Sequence, residues 1–328
     1  MKRREFAGLV AGAAVWPLVA RAQQGAGMRH LGVLADYAAN DSLGQSLAAI
    51  LPQSLAALGW IEGQNIQIDW RRASADPKLY QSYAAELVAL RPDVLVVQSS
   101  PAVAALRRLP NAIPTVFIMI TDPLGQGFVN NLAHPGGNMT GFSDYDPPIA
   151  SKWVELLKQI KPSLASVALL YNPASTPFAD LILQTVGPAA RSLAVAARSS
   201  VCRDDANIDA AMKLARAERG GVLVIPEVFT TVHRDAIVAA AARHRVPAVY
   251  PDEISTTHGE LMSYGIDPAD VFRRSASYVD RILKGENPGD LPVENPTKFK
   301  LTISLKTAKV IGLAVPPTLL ALADTVTE

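Results

Sequence analysis

From Arg29 onward, unbroken apolar runs alternate with stretches whose apolar residues recur every three or four positions. "RHLGVLAD" (29–36) is such a run, closed by a carboxylate, as in a strand buried on both faces. Asp41-Ser42-Leu43-Gly44 then opens a helix with Leu47, Ile50, Leu51, Leu55 and Leu58 on one face, and Gly59 stops it. "NIQIDW" (65–70) predicts a second strand, Pro77 starts a helix carrying Leu79, Tyr83, Leu87 and Leu90, and "DVLVVQ" (93–98) predicts a third strand. A short helix from Pro101 to Leu109 and the strand "PTVFIMI" (114–120) complete this half. The rhythm restarts after an irregular passage. Helices are expected at Ile149–Ile160, Phe178–Leu193, Ile208–Arg219, His233–His244 and Pro268–Leu283. Between and beyond them stand strands at 166–171, 195–199, 221–226, 246–251, 259–265 and 299–305, then two short helices split by Pro316-Pro317.

Strands apolar along their whole length, alternating with amphipathic helices, call for parallel sheets covered on both faces. The pattern occurs twice, which predicts an α/β fold of two Rossmann-like doubly wound lobes. An eight-fold barrel would leave the irregular Thr121–Asn138 passage without a purpose. Its Gly125, Gly127, Gly136 and Gly137 do not make a phosphate loop. Gly125-Gln126-Gly127 lacks a third glycine, no G-K-[ST] follows, and the passage comes after the fourth strand rather than the first.

Open parallel sheets bind ligands beyond the carboxyl ends of their strands. There the first half offers Asp36, Tyr37, Asn40, Asp41 and Ser42, then Gln98, Ser99 and Ser100, then Thr121 and Asp122. The second half offers Tyr171 and Asn172, then Pro226, Glu227 and Phe229, then Tyr250 and Asp252, then Ser263, Tyr264 and Asp267. Hydroxyls and aromatic rings dominate and cations are few, which suits a small organic solute. Each position also suits ordinary turn or cap chemistry. The ligand-binding candidates are Asp36, Tyr37, Asp41, Ser42, Ser99, Ser100, Thr121, Asp122, Tyr171, Asn172, Glu227, Phe229, Tyr250, Tyr264 and Asp267, with Arg71 and Arg72 as cationic helpers.

The 328 residues exceed one ordinary core, and the formal charge of +1 gives no reason to expect nucleic acid. One cysteine, Cys202, makes neither a disulfide nor a cysteine zinc site. There is no G-x-S-x-G elbow and no H-E-x-x-H, and the five histidines do not form metal spacing, so no catalytic residue, metal or cofactor is expected. At the start, "MKRREF" precedes an apolar run and "ARA" precedes Gln23, as in a cleavable export signal over residues 1–22. Arg3-Arg4 fits either a twin-arginine or a general secretory route to the periplasm.

The segments "ELVALRPDVLVV", "DPLGQGFVNNLAHPGGNMTGF", "KWVELLKQIKP", "VALLYNP" and "SYGIDPADVFRRSASYVDRILKGENPGDLPVENPTKFKLTISLKTAKVIGLAVPPTLLALAD" resemble one family. It is the substrate-binding proteins of ABC transporters of the tryptophan/tyrosine-transport type, which have the type I periplasmic-binding-protein fold. Asp122-Pro123, Pro135-Gly136-Gly137-Asn138 and Ser263-Tyr264-Gly265 match its motifs. "ADYAANDSLGQ" departs from amino-acid-binding relatives, which carry a His-containing segment there. The resemblance implies a small organic solute, such as an aromatic amino acid or related carboxylate, held between two lobes and delivered to an ABC permease in the inner membrane. It implies lobes of 28–143 plus 268–290 and of 144–265 plus 294–328, with a three-segment hinge at Gly141, Phe142, Gly265 and Leu291. A ligand-sensing module for a separate receptor and an enzyme on the same fold remain the alternatives.

Overall fold

Each apolar run sits inside a sheet. The computed structural model describes residues 27–145, 148–252, 259–296 and 298–328. The expected export signal at 1–22, His258 and the side chain of Asp252 lie outside the described residues. The strands β1 (Arg29–Ala35), β2 (Ile66–Arg72), β3 (Val94–Gln98), β4 (Thr115–Ile120) and β5 (Met139–Ser143) form a parallel five-stranded sheet in the order β2-β1-β3-β4-β5. Alternate residues feed opposite faces. Leu31, Val33, Val94 and Val96 meet Leu47, Leu51 and Leu55 of α1 (Ser42–Ala57). Leu34, Leu95 and Val97 meet Tyr80, Ala84 and Leu87 of α2 (Pro77–Ala89) and Val103 and Leu106 of α3 (Ser100–Arg107). The caps match the sequence: the Asp41 carboxylate accepts the Gly44 N–H at 2.7 Å, and Asp76 accepts that of Lys78 at 2.8 Å.

The second sheet has seven strands, in the order β12-β11-β10-β9-β8-β6-β7. They are β6 (Ser166–Tyr171), β7 (Ala196–Val201), β8 (Gly221–Val224), β9 (Ala248–Asp252), β10 (Met262–Ile266), β11 (Lys300–Ser304) and β12 (Thr325–Thr327). β11 runs antiparallel to β10, and β12 at the edge was not expected from the sequence. One face packs on α4 (Pro148–Ile160) and α5 (Ala179–Ser192) through Trp153, Leu157, Ile182 and Val186. The other packs on α6 (Asp205–Ala217) and α8 (Arg234–His244) through Ile208, Met212 and Ile237. The helix expected at His233–His244 is α8, and a short helix that the sequence reading did not include, α7 (Val228–Val232), precedes it. The two-lobed α/β expectation is met.

The chain crosses between the sheets at three places: from β5 to α4, from β10 to α9 (Pro268–Leu283), and from the 3-10 turn Pro288–Asp290 to β11. α9 belongs with the first sheet, placing Val271, Phe272 and Val279 in its core. α10 (Leu305–Ile311) and α11 (Pro317–Leu320) follow β11. The first and third crossings pair. Glu294 donates its N–H to Gly141 at 2.9 Å and accepts that of Ser143 at 2.9 Å. The Thr140 hydroxyl donates to the Leu291 carbonyl at 2.7 Å. Gly141 and Phe142 thus lie inside β5, Gly265 lies inside β10, and Leu291 is buried beside the paired segment.

Candidate functional site: an acidic cleft between the lobes

The carboxyl ends of β1, β3 and β4 face those of β6 and β8 across a cleft with two adjoining chambers. The floor chamber, about 60 Å³, is lined by Asp36, Tyr37, Gln98, Ser99, Ser100, Met119, Thr121, Asp144, Phe178, Glu227 and Thr231, among others. The outer chamber, about 490 Å³, shares Ser100, Pro101, Ser175, Val228 and Val232 with it and extends along Tyr80, Ala104, Arg108, Asn172, Phe229 and His233. No Lys, Arg or His lines the floor.

Three carboxyl groups converge there. Asp36 follows β1 and is buried; its Oδ1 accepts the Tyr80 phenol at 2.7 Å and the Ser99 hydroxyl at 2.7 Å. Burial outweighs those two hydrogen bonds and pushes the carboxyl up to about 7. Asp144 follows β5; its Oδ1 accepts the Thr121 hydroxyl at 2.7 Å, and burial pushes it up to about 6. Glu227 caps α7. Its carboxylate accepts N–H groups of Asn172 at 3.1 Å, Phe229 at 2.6 Å and Thr230 at 3.3 Å, and the Ser175 hydroxyl at 2.6 Å. Burial still raises it to about 7.

The arrangement is strained where it serves the cleft. Ser99 and Met119, which line the floor, have φ of 77° and 58°, a left-handed backbone that costs a non-glycine residue about 1–2 kcal/mol. Ser99 stands at the N-cap of α3, yet its hydroxyl gives no cap bond and turns to Asp36. The protons of Ser99 and Thr121 are both committed to carboxylates, so these oxygens face the chamber as acceptors. An acceptor-rich, cation-free floor suits a ligand with several donors on a positive centre.

Of the sequence candidates, Asp36, Tyr37, Ser99, Ser100, Thr121 and Glu227 come together at the floor, and Asn172 and Phe229 in the outer chamber. Asp122 lies in neither lining; its carboxylate accepts the Gly125 N–H at 2.8 Å and closes a turn. Asp41 caps α1 and Ser42 begins it. Tyr171 is buried with its hydroxyl 3.4 Å from that of Ser199, and Tyr250 lies in the core under α6 and α8. Tyr264 packs on Phe299 with ring centroids 5.9 Å apart. Asp267 caps α9 at the Ala269 N–H, 2.9 Å away, and lines a separate cavity of about 180 Å³ beside the crossings. Arg71 pairs with Glu86 at 2.6 Å and Arg72 lies 5.1 Å from the Trp70 ring, both away from the cleft. The sequence reasoning missed Asp144, Tyr80, Ser175 and Phe178. Asp144 obeys the same strand-end rule as Asp36, but the short, glycine-containing "MTGFS" hid its strand.

The family model for ABC transporter substrate binding proteins matches residues 38–327. The chain belongs to the ABC transporter substrate-binding protein family. A tyrosine-binding protein of Clostridioides difficile is 25% identical over 264 residues, 80% of this chain and 75% of that protein. A conserved domain protein of Vibrio cholerae superposes with a TM-score of 0.83 at 26% identity, over 92% of this chain and 100% of that one. An ABC domain from Streptococcus pneumoniae in complex with L-Trp superposes with a TM-score of 0.82 at 24% identity, over 91% and 99%. This substrate-binding protein is therefore the exported, non-catalytic solute-capturing component of an ABC importer, and it takes a small organic solute between its lobes. The family implies an extracytoplasmic place of work and cooperation with an ABC permease.

Proposed function

We propose that the solute is an amino acid or close relative with an aromatic or other apolar body, and that its ammonium group binds at the floor between Asp36 and Asp144. The carrying observation is the acceptor-rich floor, whose lining holds no Lys, Arg or His. Among the described residues, the side-chain hydroxyls that donate to Asp36 and to Asp144 do so at Oδ1, which leaves each Oδ2 for a ligand. The ligand carboxylate is placed against Ser100 in the first turn of α3. Tyr37, Met119, Phe178, Val228 and Val232 supply the apolar walls. The L-Trp complex and the tyrosine-binding relative both support an aromatic body. Bound in this way, the solute bridges the lobes, favours their closed arrangement and is passed to an inner-membrane permease.

Titration calorimetry of Asp36→Asn and Asp144→Asn tests this. Removing one partner of a buried charge pair costs about 2–5 kcal/mol, so each variant loses at least about thirtyfold in affinity for the amino acid that binds best. Unchanged affinity in both variants, with folding intact by circular dichroism, refutes the floor assignment.

A further inference from the structure

The cleft is polarised along α3. The acids stand at its start, beside Ser99 and Ser100, and Arg108 stands just past its last residue. Eight helical residues separate the two ends by about 12 Å. Ala104 and Ala105 line the way on one side, and Val228, Phe229 and Val232 line it on the other. Arg108 is exposed on the chamber wall, and its guanidinium has no hydrogen-bond or ion-pair partner among the described residues. Its neighbour Arg107 is already engaged by the Gly127 carbonyl and lies 5.9 Å from the Phe128 ring. The larger chamber therefore joins an acidic floor to an unpaired guanidinium by an apolar channel.

We infer that the outer chamber is a second subsite for the anionic end of an elongated solute, with Arg108 as the residue that selects it. The inference rests on the ammonium position proposed above. Its ligand class is an amine-to-carboxylate chain of two or three peptide-like units. At about 3.5 Å per residue such a chain, with the reach of the Arg108 side chain, covers the span. A free amino acid engages the floor and the near part of the outer chamber and stops short of Arg108.

Calorimetry with the full chain reads this out, using L-tyrosine, L-tyrosyl-L-alanine and the C-terminal amide of that dipeptide. The dipeptide acid binds about three- to fivefold more tightly than the amide, a modest factor because the guanidinium is solvated, and added salt narrows the gap. In Arg108→Ala the acid falls to the level of the amide, while L-tyrosine and the amide keep their affinities. If L-tyrosine binds but the dipeptide acid gains nothing over its amide, the second subsite is refuted and the floor stands. An equal loss for all three probes in Arg108→Ala marks a structural role and also overturns the inference. If none of the three binds, the floor assignment falls and takes the subsite with it.

Discussion

Asp36, Asp144 and Glu227 set the pH behaviour of the empty protein. Each has its carboxyl raised by burial, to about 7, 6 and 7, against roughly 4 in an unfolded chain. Between those values the folded state binds more protons than the unfolded state, so stability falls as pH rises from about 4 to 7. Each group contributes at most about 1.4 kcal/mol per pH unit. Denaturant unfolding at pH 5 and pH 8 checks the sign: the ligand-free protein is the more stable at pH 5, and Asp36→Asn has a shallower slope. Equal slopes for the two proteins would remove Asp36 from this role. Asp36 was legible in the sequence because it closes an apolar strand. Tyr80, which donates to it, was not: a tyrosine on a helix face reads as core, and only the packing of α2 on β1 brings its hydroxyl to the carboxylate.

The elements differ in how openly the sequence declares them. β1, β3 and β4 are uninterrupted apolar runs, and α1 and α2 carry their own caps, so both their class and their ends could be read. β5 is five residues with a glycine, and its place depends on close approach: Gly141 has φ 154°, and a side chain there would collide with the Phe117 carbonyl of β4. The short α7 upstream of His233 was also hidden, because five residues behind the Glu227 cap are too few to show a helical period. The glycine-rich passage is an irregular excursion, as its composition indicates, but Asp122 serves that turn. Asp122→Ala accordingly removes about 1 kcal/mol of cap-like stabilisation and lowers the melting temperature by about 2 °C, with solute affinity kept within about twofold. A tenfold loss of affinity would instead put that carboxylate on the ligand.

Across the two lobes, the paired crossings act as one strap. Glu294 ties β5 by its backbone, and its side chain accepts the Tyr278 hydroxyl at 2.9 Å and meets Arg274 of α9. Phe142 packs against Tyr278 with ring centroids 4.8 Å apart, and Arg274 lies 5.0 Å from the Phe142 ring. Lobe rotation about such a strap is the hinge motion available to two sheets joined at three places, and a solute drives it only by binding the closed form better. In the binding mode proposed above, that preference comes from the ammonium, held by the acids of the first lobe and its crossing while the body meets α7 of the second. The most direct measurement compares the thermal stabilisation of the full chain by L-tyrosine with that by 3-(4-hydroxyphenyl)propionate, the same molecule without its amine. L-Tyrosine raises the melting temperature and the deaminated compound leaves it unchanged; equal stabilisation by both would contradict an ammonium-reading floor.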